Sequence, residues 1–200
     1  MHKPCEGHWV AVKSILRYLA RTIHYGLVFH ANSSASKLVA FANADWGNNL
    51  DDRRSISRPC VFLGSNLISW SSRKQKTMAR STTETEYKSI ADTVSEVVWL
   101  RTLLRNMHVK QVETTVIRSD NTSAVAISSN PVFHVKSKYV ELMCFVRKKL
   151  TKKELSVSYV PEPHHLADSL TKPLSKSSFA SFREKIRVTN GEALEDIREC

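Results

Sequence analysis

The sequence predicts an α/β domain, a mixed five-stranded sheet flanked by helices. Three observations carry this. Three extended segments between residues 39 and 71, separated by turn residues, read as an antiparallel meander. A long helix with apolar periodicity follows, Thr83 to Met107. After it strands and helices alternate, as they do where strands join one sheet through helical connections.

The chain opens with an amphipathic helix, His8 to Ala20, in which Trp9, Val12, Leu16 and Leu19 share a face and Lys13 and Arg17 lie elsewhere. A short extended segment, Tyr25 to Phe29, leads into His30 to Ser36, a loop rich in turn residues. That loop is the best boundary between a leading appendage and the main domain. The first main strand, Val39 to Trp46, alternates so that Val39, Phe41, Asn43 and Asp45 share one face. It ends in oxygen-bearing side chains. A polar turn, Gly47 to Arg54, precedes strands Cys60 to Leu63 and Leu67 to Ser71, joined through Gly64, Ser65 and Asn66. Pro59 removes a ladder donor, so the second strand is expected to be frayed or at an edge.

In the long helix Tyr87, Ile90, Ala91, Val94, Val97 and Val98 follow the i, i+3, i+4, i+7 rule. Thr83-x-x-Glu86 forms a capping-box pattern at its start. The fourth strand, Thr114 to Arg118, closes in Ser119, Asp120 and Asn121, and a short helix begins at about Thr122. Lys136 to Lys149 reads as a strongly basic helix and Leu155 to Val160 as the fifth strand. Pro161 and Pro163 break the chain, His164 to Thr171 suits one or two helical turns, and Ser175 to Ile186 forms a last helix. No internal repeat is present.

With 200 residues, 42% hydrophobic and 24% charged, the chain suits one domain with a buried core and a terminal appendage. Thirty Lys and Arg against nineteen Asp and Glu leave a formal charge of +11, which favours a polyanionic partner through counterion release. Cys5, Cys60, Cys144 and Cys200 are scattered without metal-ligand spacing, so neither a zinc site nor a disulfide framework is expected. Reduced thiols in an intracellular compartment, cytoplasm or nucleus, are the default. No apolar run approaches membrane-spanning length, and no membrane partner is expected.

The acids lie at structurally defined ends. Asp120 closes the fourth strand, where open α/β sheets place ligands, and is equally placed to cap the next helix. Glu86 lies in the first turn of the long helix, either functional or the capping partner of Thr83. Asp168 is an acid in a late helical turn, readable as a solvated surface group. Asn43 and Asp45 alone would make an ordinary strand end.

Together, these positions and several runs make the chain resemble the ribonuclease H region of the Pol polyprotein of copia-type LTR retrotransposons, as found in plants. The runs are Met1-His2-Lys3-Pro4 with Arg17-Tyr18-Leu19, Asp51 to Ser55, Cys60 to Gly64, and Leu67 to Ser72. They continue with Thr83-Glu84-Thr85-Glu86-Tyr87, Ser119 to Asn121, Asn130 to His134, and Ala167 to Lys172. The match runs in order from residue 1 to about Val188, and the last dozen residues match nothing nameable. The resemblance implies a division into a tail of the reverse transcriptase connection region (1–30), a ribonuclease H-like domain (36–172), and a C-terminal helix with an unmatched tail (173–200). A whole Pol chain would also carry polymerase and integrase motifs, which are absent here, so a fragment is expected.

The resemblance further implies hydrolysis of the RNA strand of an RNA–DNA hybrid by a two-metal mechanism, with magnesium as cofactor, the hybrid as partner, and a monomer. Magnesium takes oxygen ligands, which four carboxylates and a substrate phosphate would supply. By position the catalytic and metal-binding set is Asn43, Glu86, Asp120 and Asp168. The family run reading Asp-Ala-Asp-Trp is here Asn43-Ala44-Asp45-Trp46, so an amide replaces the first carboxylate. An amide offers one neutral carbonyl oxygen in place of two oxygens and a charge. The expected loss is of the order of several kcal/mol, hence several powers of ten in rate, which leaves a catalytically impaired remnant that binds nucleic acid as the alternative. Asp45 lies about 6.5–7 Å further along a strand, too far to substitute directly at metal-ligand distance.

Other departures point the same way. Ser57-Arg58-Pro59 replaces a run with Gly before the second strand, so Arg58 is expected to add strain if that Gly served a positive-φ turn. Tyr139 stands in place of a His. The segment is one residue short near Met143 and Cys144, which would turn the following helix by about 100°. Arg53, Arg54, Arg73, Lys74 and Lys76, with Trp70 as a flat apolar contact, are the candidate nucleic-acid surface. Arg147, Lys148, Lys149, Lys152 and Lys153 form a second basic cluster. His164 and His165 precede Asp168, as a proton shuttle or as an exposed loop pair.

Overall fold

The computed structural model describes residues 3–31, 37–47, 52–109, 113–129, 140–161, 165–167 and 174–191. They fall into two compact units, one of Met1–Phe29 with Arg183–Cys200 and one of His30–Phe182. Ten strands and five helices, in chain order, are α1 (Glu6–Arg21), β1 (Tyr25–Leu27), β2 (Leu38–Phe41), β3 (Ala44–Asp45), β4 (Ile56–Ser57), β5 (Cys60–Leu63), β6 (Asn66–Trp70), β7 (Arg73–Lys74), α2 (Thr82–Asn106), β8 (Thr115–Ser119), α3 (Thr122–Ser129), α4 (Val140–Thr151), β9 (Leu155–Tyr159), α5 (Lys176–Lys185) and β10 (Val188–Asn190).

In the smaller unit, β1 and β10 pair antiparallel, with Tyr25 opposite Asn190. The guanidinium of Arg183 stacks 4.5 Å from the Tyr25 ring centroid. Helix α1 starts at Cys5, whose backbone N–H donates to His8 Nδ1 at 3.0 Å. It buries no residue: Trp9, Leu16 and Leu19, expected on an apolar face, are exposed.

The larger unit is built on a mixed sheet of order β6-β5-β2-β8-β9. β2, β5 and β6 pair antiparallel, while β2, β8 and β9 run parallel. This is the five-stranded α/β arrangement that the element order predicts. Apolar alternation places Leu38 and Ala40 of β2, Val61 of β5 and Ile117 of β8 in the core. Against them α2 lays Ile90, Ala91, Val94 and Val97, all fully buried, which share one helix face. Burying each such aliphatic side chain stabilises the fold by about 1.5–3 kcal/mol. Val146 of α4, Ala124 of α3 and Leu155 of β9 join the same cluster.

Two expectations about strands are corrected. The segment from Val39 to Trp46 is not one strand: it breaks at Ala42 and Asn43, and β3 leaves for a second, three-stranded sheet of order β3-β4-β7. The strand after Pro59 is neither frayed nor at an edge, because β5 pairs with β2 on one side and β6 on the other. Pro59 lies between β4 and β5, where no ladder bond is lost, and its carbonyl accepts the Ser71 N–H at 3.1 Å. Two- and three-residue strands β4, β7 and β10 had no period long enough to be seen.

Candidate functional site

Asn43 and Asp120 are placed by strand register. Phe41 of β2 lies opposite Arg118 of β8, and the Ala42 N–H continues the ladder to the Arg118 carbonyl at 2.9 Å. Asn43 and Asp120 are each two residues further on, just past the ends of the parallel strands β2 and β8. Asn43 is 3% exposed and Asp120 is half-buried. Asp120 is not the cap of α3: Asn121 Oδ1 takes that part, accepting the Ala124 N–H at 2.8 Å. The Asp120 carboxylate is therefore not committed to that helix start.

Glu86 reaches the same place from α2. Its Oε1 accepts the Ala44 N–H at 3.2 Å. One turn on, Ser89 Oγ donates to the Asn43 carbonyl at 2.7 Å. Residues i and i+3 of one helix thus grip the two ends of the Asn43–Ala44 peptide, and the Arg58 N–H adds a second donor to the same carbonyl at 2.8 Å. Glu86 is not the capping partner of Thr83. The helix starts two residues earlier, at Ser81, whose hydroxyl accepts the Glu84 N–H at 3.2 Å. Glu84 in turn accepts the Arg80 N–H at 2.9 Å.

Asp45 is turned to a structural task. Its Oδ1 accepts the Ile56 N–H at 2.6 Å, and its Oδ2 lies 3.5 Å from Arg58 Nη2. Both side chains are nearly buried, at 12% and 11% exposure. Arg58 has no positive φ, so the expected strain is not found there; nearby, Arg53 at φ 51° is left-handed. Neither Ser89 nor Arg58 was identified from sequence as part of the site. A serine three residues after a first-turn acid is the signal that could have found Ser89.

Asp168, Tyr139 and His164 lie outside the described residues, as does Met143 for its side chain. Helix α4 runs unbroken from Val140 to Thr151. His165 is not exposed: it is 3% accessible and meets the Phe41 ring edge-on at 5.7 Å, two residues before Asn43. Among the described residues no three His, Cys, Asp or Glu side chains form a metal-binding group. Glu86, Asp120 and the amide of Asn43 would together make an oxygen-only set, the donor type that hard divalent cations take.

The basic residues gather beside this set. Ala44 pairs with Ser57 and Ser57 with Arg73, so the backbone of Arg73 lies two strand spacings, about 10 Å, from Ala44. Arg53, Arg54, Arg73, Lys74 and Lys76 are exposed, and Trp70 at the end of β6 is 55% exposed. Asp52 holds two of them: Lys74 Nζ at 2.8 Å and Arg54 Nε at 3.6 Å. The Lys74 hydrogen bond, with help from Arg54, lowers the Asp52 carboxyl below its ordinary value. Arg73, Lys74 and Lys76 rim a cavity of about 550 Å³ that also reaches Gln75 and Lys88. Among the described residues no helix is long and apolar enough to cross a membrane.

No family model matches the chain. It is 42% identical over 190 residues to the retrovirus-related Pol polyprotein from transposon RE1 of Arabidopsis thaliana. It is also 42% identical over 189 residues to that from transposon RE2 of the same plant. Each match covers 94% of this chain and 13% of the relative, so the chain spans about an eighth of the length of these curated relatives. Among solved structures, an RNase H1 isolated from compost, LC11, superposes with a TM-score of 0.51 at 15% identity. That likeness covers 68% of this chain and 92% of the other, and it shows a shared fold.

Proposed function

Because the chain belongs to the retrovirus-related Pol polyproteins of plant transposons and has a ribonuclease H-like fold, we propose that it derives from a hydrolase of the RNA strand of RNA–DNA hybrids. What supports this reading is the position of Asn43 and Asp120 just past the ends of the parallel strands β2 and β8, with Glu86 of α2 accepting the N–H of the next residue, Ala44. We further propose that cleavage is impaired, because the first position of that set is an amide.

Glu86 and Asp120 would hold divalent magnesium, with Asp168 as a further carboxylate by sequence position. Bound there, the ion would supply positive charge to a scissile phosphate and acidify a water. The residues themselves orient the site. The Ala44 N–H fixes one oxygen of Glu86, and Ser89 with Arg58 fixes the carbonyl of Asn43. Asn43 cannot contribute charge in that position, and Asp45 is occupied by Ile56 and Arg58. The exposed Arg53, Arg54, Arg73, Lys74, Lys76 and Trp70 would follow the phosphates of the hybrid. Their exposure favours a second reading, a module that binds hybrids in a salt-sensitive way without cutting them.

The test compares hybrid cleavage by this chain and by Asn43→Asp, in magnesium and in manganese. The substitution is expected to raise the rate by several powers of ten. Equal cleavage by both chains would overturn the impairment. No cleavage by either folded chain, with hybrid binding retained, would establish the binding module.

A further inference from the structure

We propose that the larger unit carries a second anion site, at the far end of α2 from the carboxylates, which takes a phosphate group. Arg101 and Arg105 recur at i and i+4 on the last turns of α2, and His108 follows two residues past the helix end, so three nitrogen-bearing side chains line one cavity. Lys149 of α4 faces them across a cavity of about 630 Å³ that all four side chains line. Three permanent cations here meet one carboxylate, that of Glu154.

The site is built and not a loose surface cluster. Arg101 Nη1 donates to Thr115 Oγ1 at 3.1 Å and to the Glu154 carbonyl at 2.7 Å, which fixes the guanidinium at the start of β8 and β9. Lys149 Nζ is held 3.0 Å from Glu154 Oε2. The C-terminal end of a helix ordinarily repels anions, through carbonyls left without partners. Here the N–H groups of Met107, His108 and Val109 donate to the carbonyls of Leu103, Arg105 and Leu104 at 2.9–3.0 Å, which reduces that repulsion. A left-handed turn at His108, φ 60°, closes the helix in this way.

Distance separates this site from the carboxylates. Glu86 and Arg105 are nineteen residue steps apart on one helix, a rise of about 28 Å, more than two Debye lengths at 0.1 M salt. The cations therefore do not serve to offset the charge of Glu86 and Asp120. A planar guanidinium fork beside an ammonium suits the tetrahedral oxygens of phosphate, free or in a nucleic-acid backbone.

The two sources are told apart by two probes on the folded chain. Inorganic phosphate is titrated against the amide NMR signals of Arg105 and His108, and a 20-base-pair RNA–DNA hybrid is titrated by fluorescence anisotropy between 50 and 200 mM salt. If backbone phosphates occupy the site, Arg105→Glu weakens hybrid binding roughly tenfold and lowers the salt slope by about 1. Glu154→Gln then strengthens binding, and Arg17→Glu, the same charge change on α1, does not reproduce the loss. If free phosphate is the ligand, it moves the two signals and Arg105→Glu abolishes the shift, with hybrid binding unchanged. Unmoved signals together with unchanged hybrid affinity in Arg105→Glu would overturn the proposal. The phosphate titration needs no cleavage, so its outcome is independent of whether the chain is a nuclease.

Discussion

Ser89 donates its hydroxyl to the carbonyl of Asn43 at 2.7 Å, and Ser89 is wholly buried. This contact ties the second turn of the core helix to the break between β2 and β3, where the first position of the site lies. Ser89→Ala removes this donor from a carbonyl that the Arg58 N–H also meets. A loss of about 1–2 kcal/mol is expected, read as a lower urea midpoint at unchanged m-value.

Glu86 has a packing role and a charge role that two substitutions separate. Glu86→Gln keeps an oxygen for the Ala44 N–H and should lie within about 1 kcal/mol of the parent. Glu86→Ala removes the acceptor from a nearly buried place and should cost about 1–3 kcal/mol. Placed on Asn43→Asp, both should remove hybrid cleavage alike. Cleavage surviving in the Gln variant would show that the charge of Glu86 is not used.

Arg58 and Asp45 form the pair that keeps Asp45 away from the carboxylate set. Each is nearly buried, so losing either partner strands a charge, and each single substitution, Arg58→Ala or Asp45→Asn, should cost about 1–3 kcal/mol. The double variant should recover part of that, a coupling measurable in a thermal double-mutant cycle. Arg58→Gly makes the sharper test. With no positive φ at position 58, glycine relieves nothing and should also destabilise.

How much of this was legible depends on the length of the signal. The 25 residues of α2 carry a helical period through seven turns, and the expected face is the buried one. Its start was misread because Ser81-Thr82-Thr83-Glu84-Thr85-Glu86 holds two overlapping capping boxes, Ser81 with Glu84 and Thr83 with Glu86. Pattern alone cannot rank them; only the second acid, lying on the side of the helix that faces β3, reaches Ala44. The break after Ala42 was hidden in the same way, because Ala-x-Ala alternation continues unchanged through Trp46. The place of Asp120 just past the end of β8 was legible from strand end and residue type. The Asp45–Arg58 pair and the Phe41–His165 contact join separate segments through tertiary packing, to which one-dimensional periodicity is blind.

Cys60 gives a prediction that depends on pH. Burial at the start of β5 pushes its thiol up from 9.0 to about 12, against a small opposing pull from the Phe41 backbone. Burial likewise pushes the Tyr87 phenol from 10.0 to about 12. Each group is neutral when protonated, and each loses its proton at lower pH in the unfolded chain than in the folded one. Between their ordinary values and about 12 the unfolded state binds fewer protons, so stability is level below about pH 9 and falls as pH rises from there. Urea midpoints should therefore drop steadily from about pH 9 upward, and Cys60→Ala should flatten the slope while lowering stability throughout. The same burial sets reactivity, because the thiolate is the nucleophile. Near pH 8.5, about the ordinary pKa of a thiol, iodoacetamide should label exposed Cys5 and Cys144 well before Cys60, as read by peptide mass. Rapid labelling of Cys60 in the folded chain would place β5 at an open edge, contrary to its pairing on both sides.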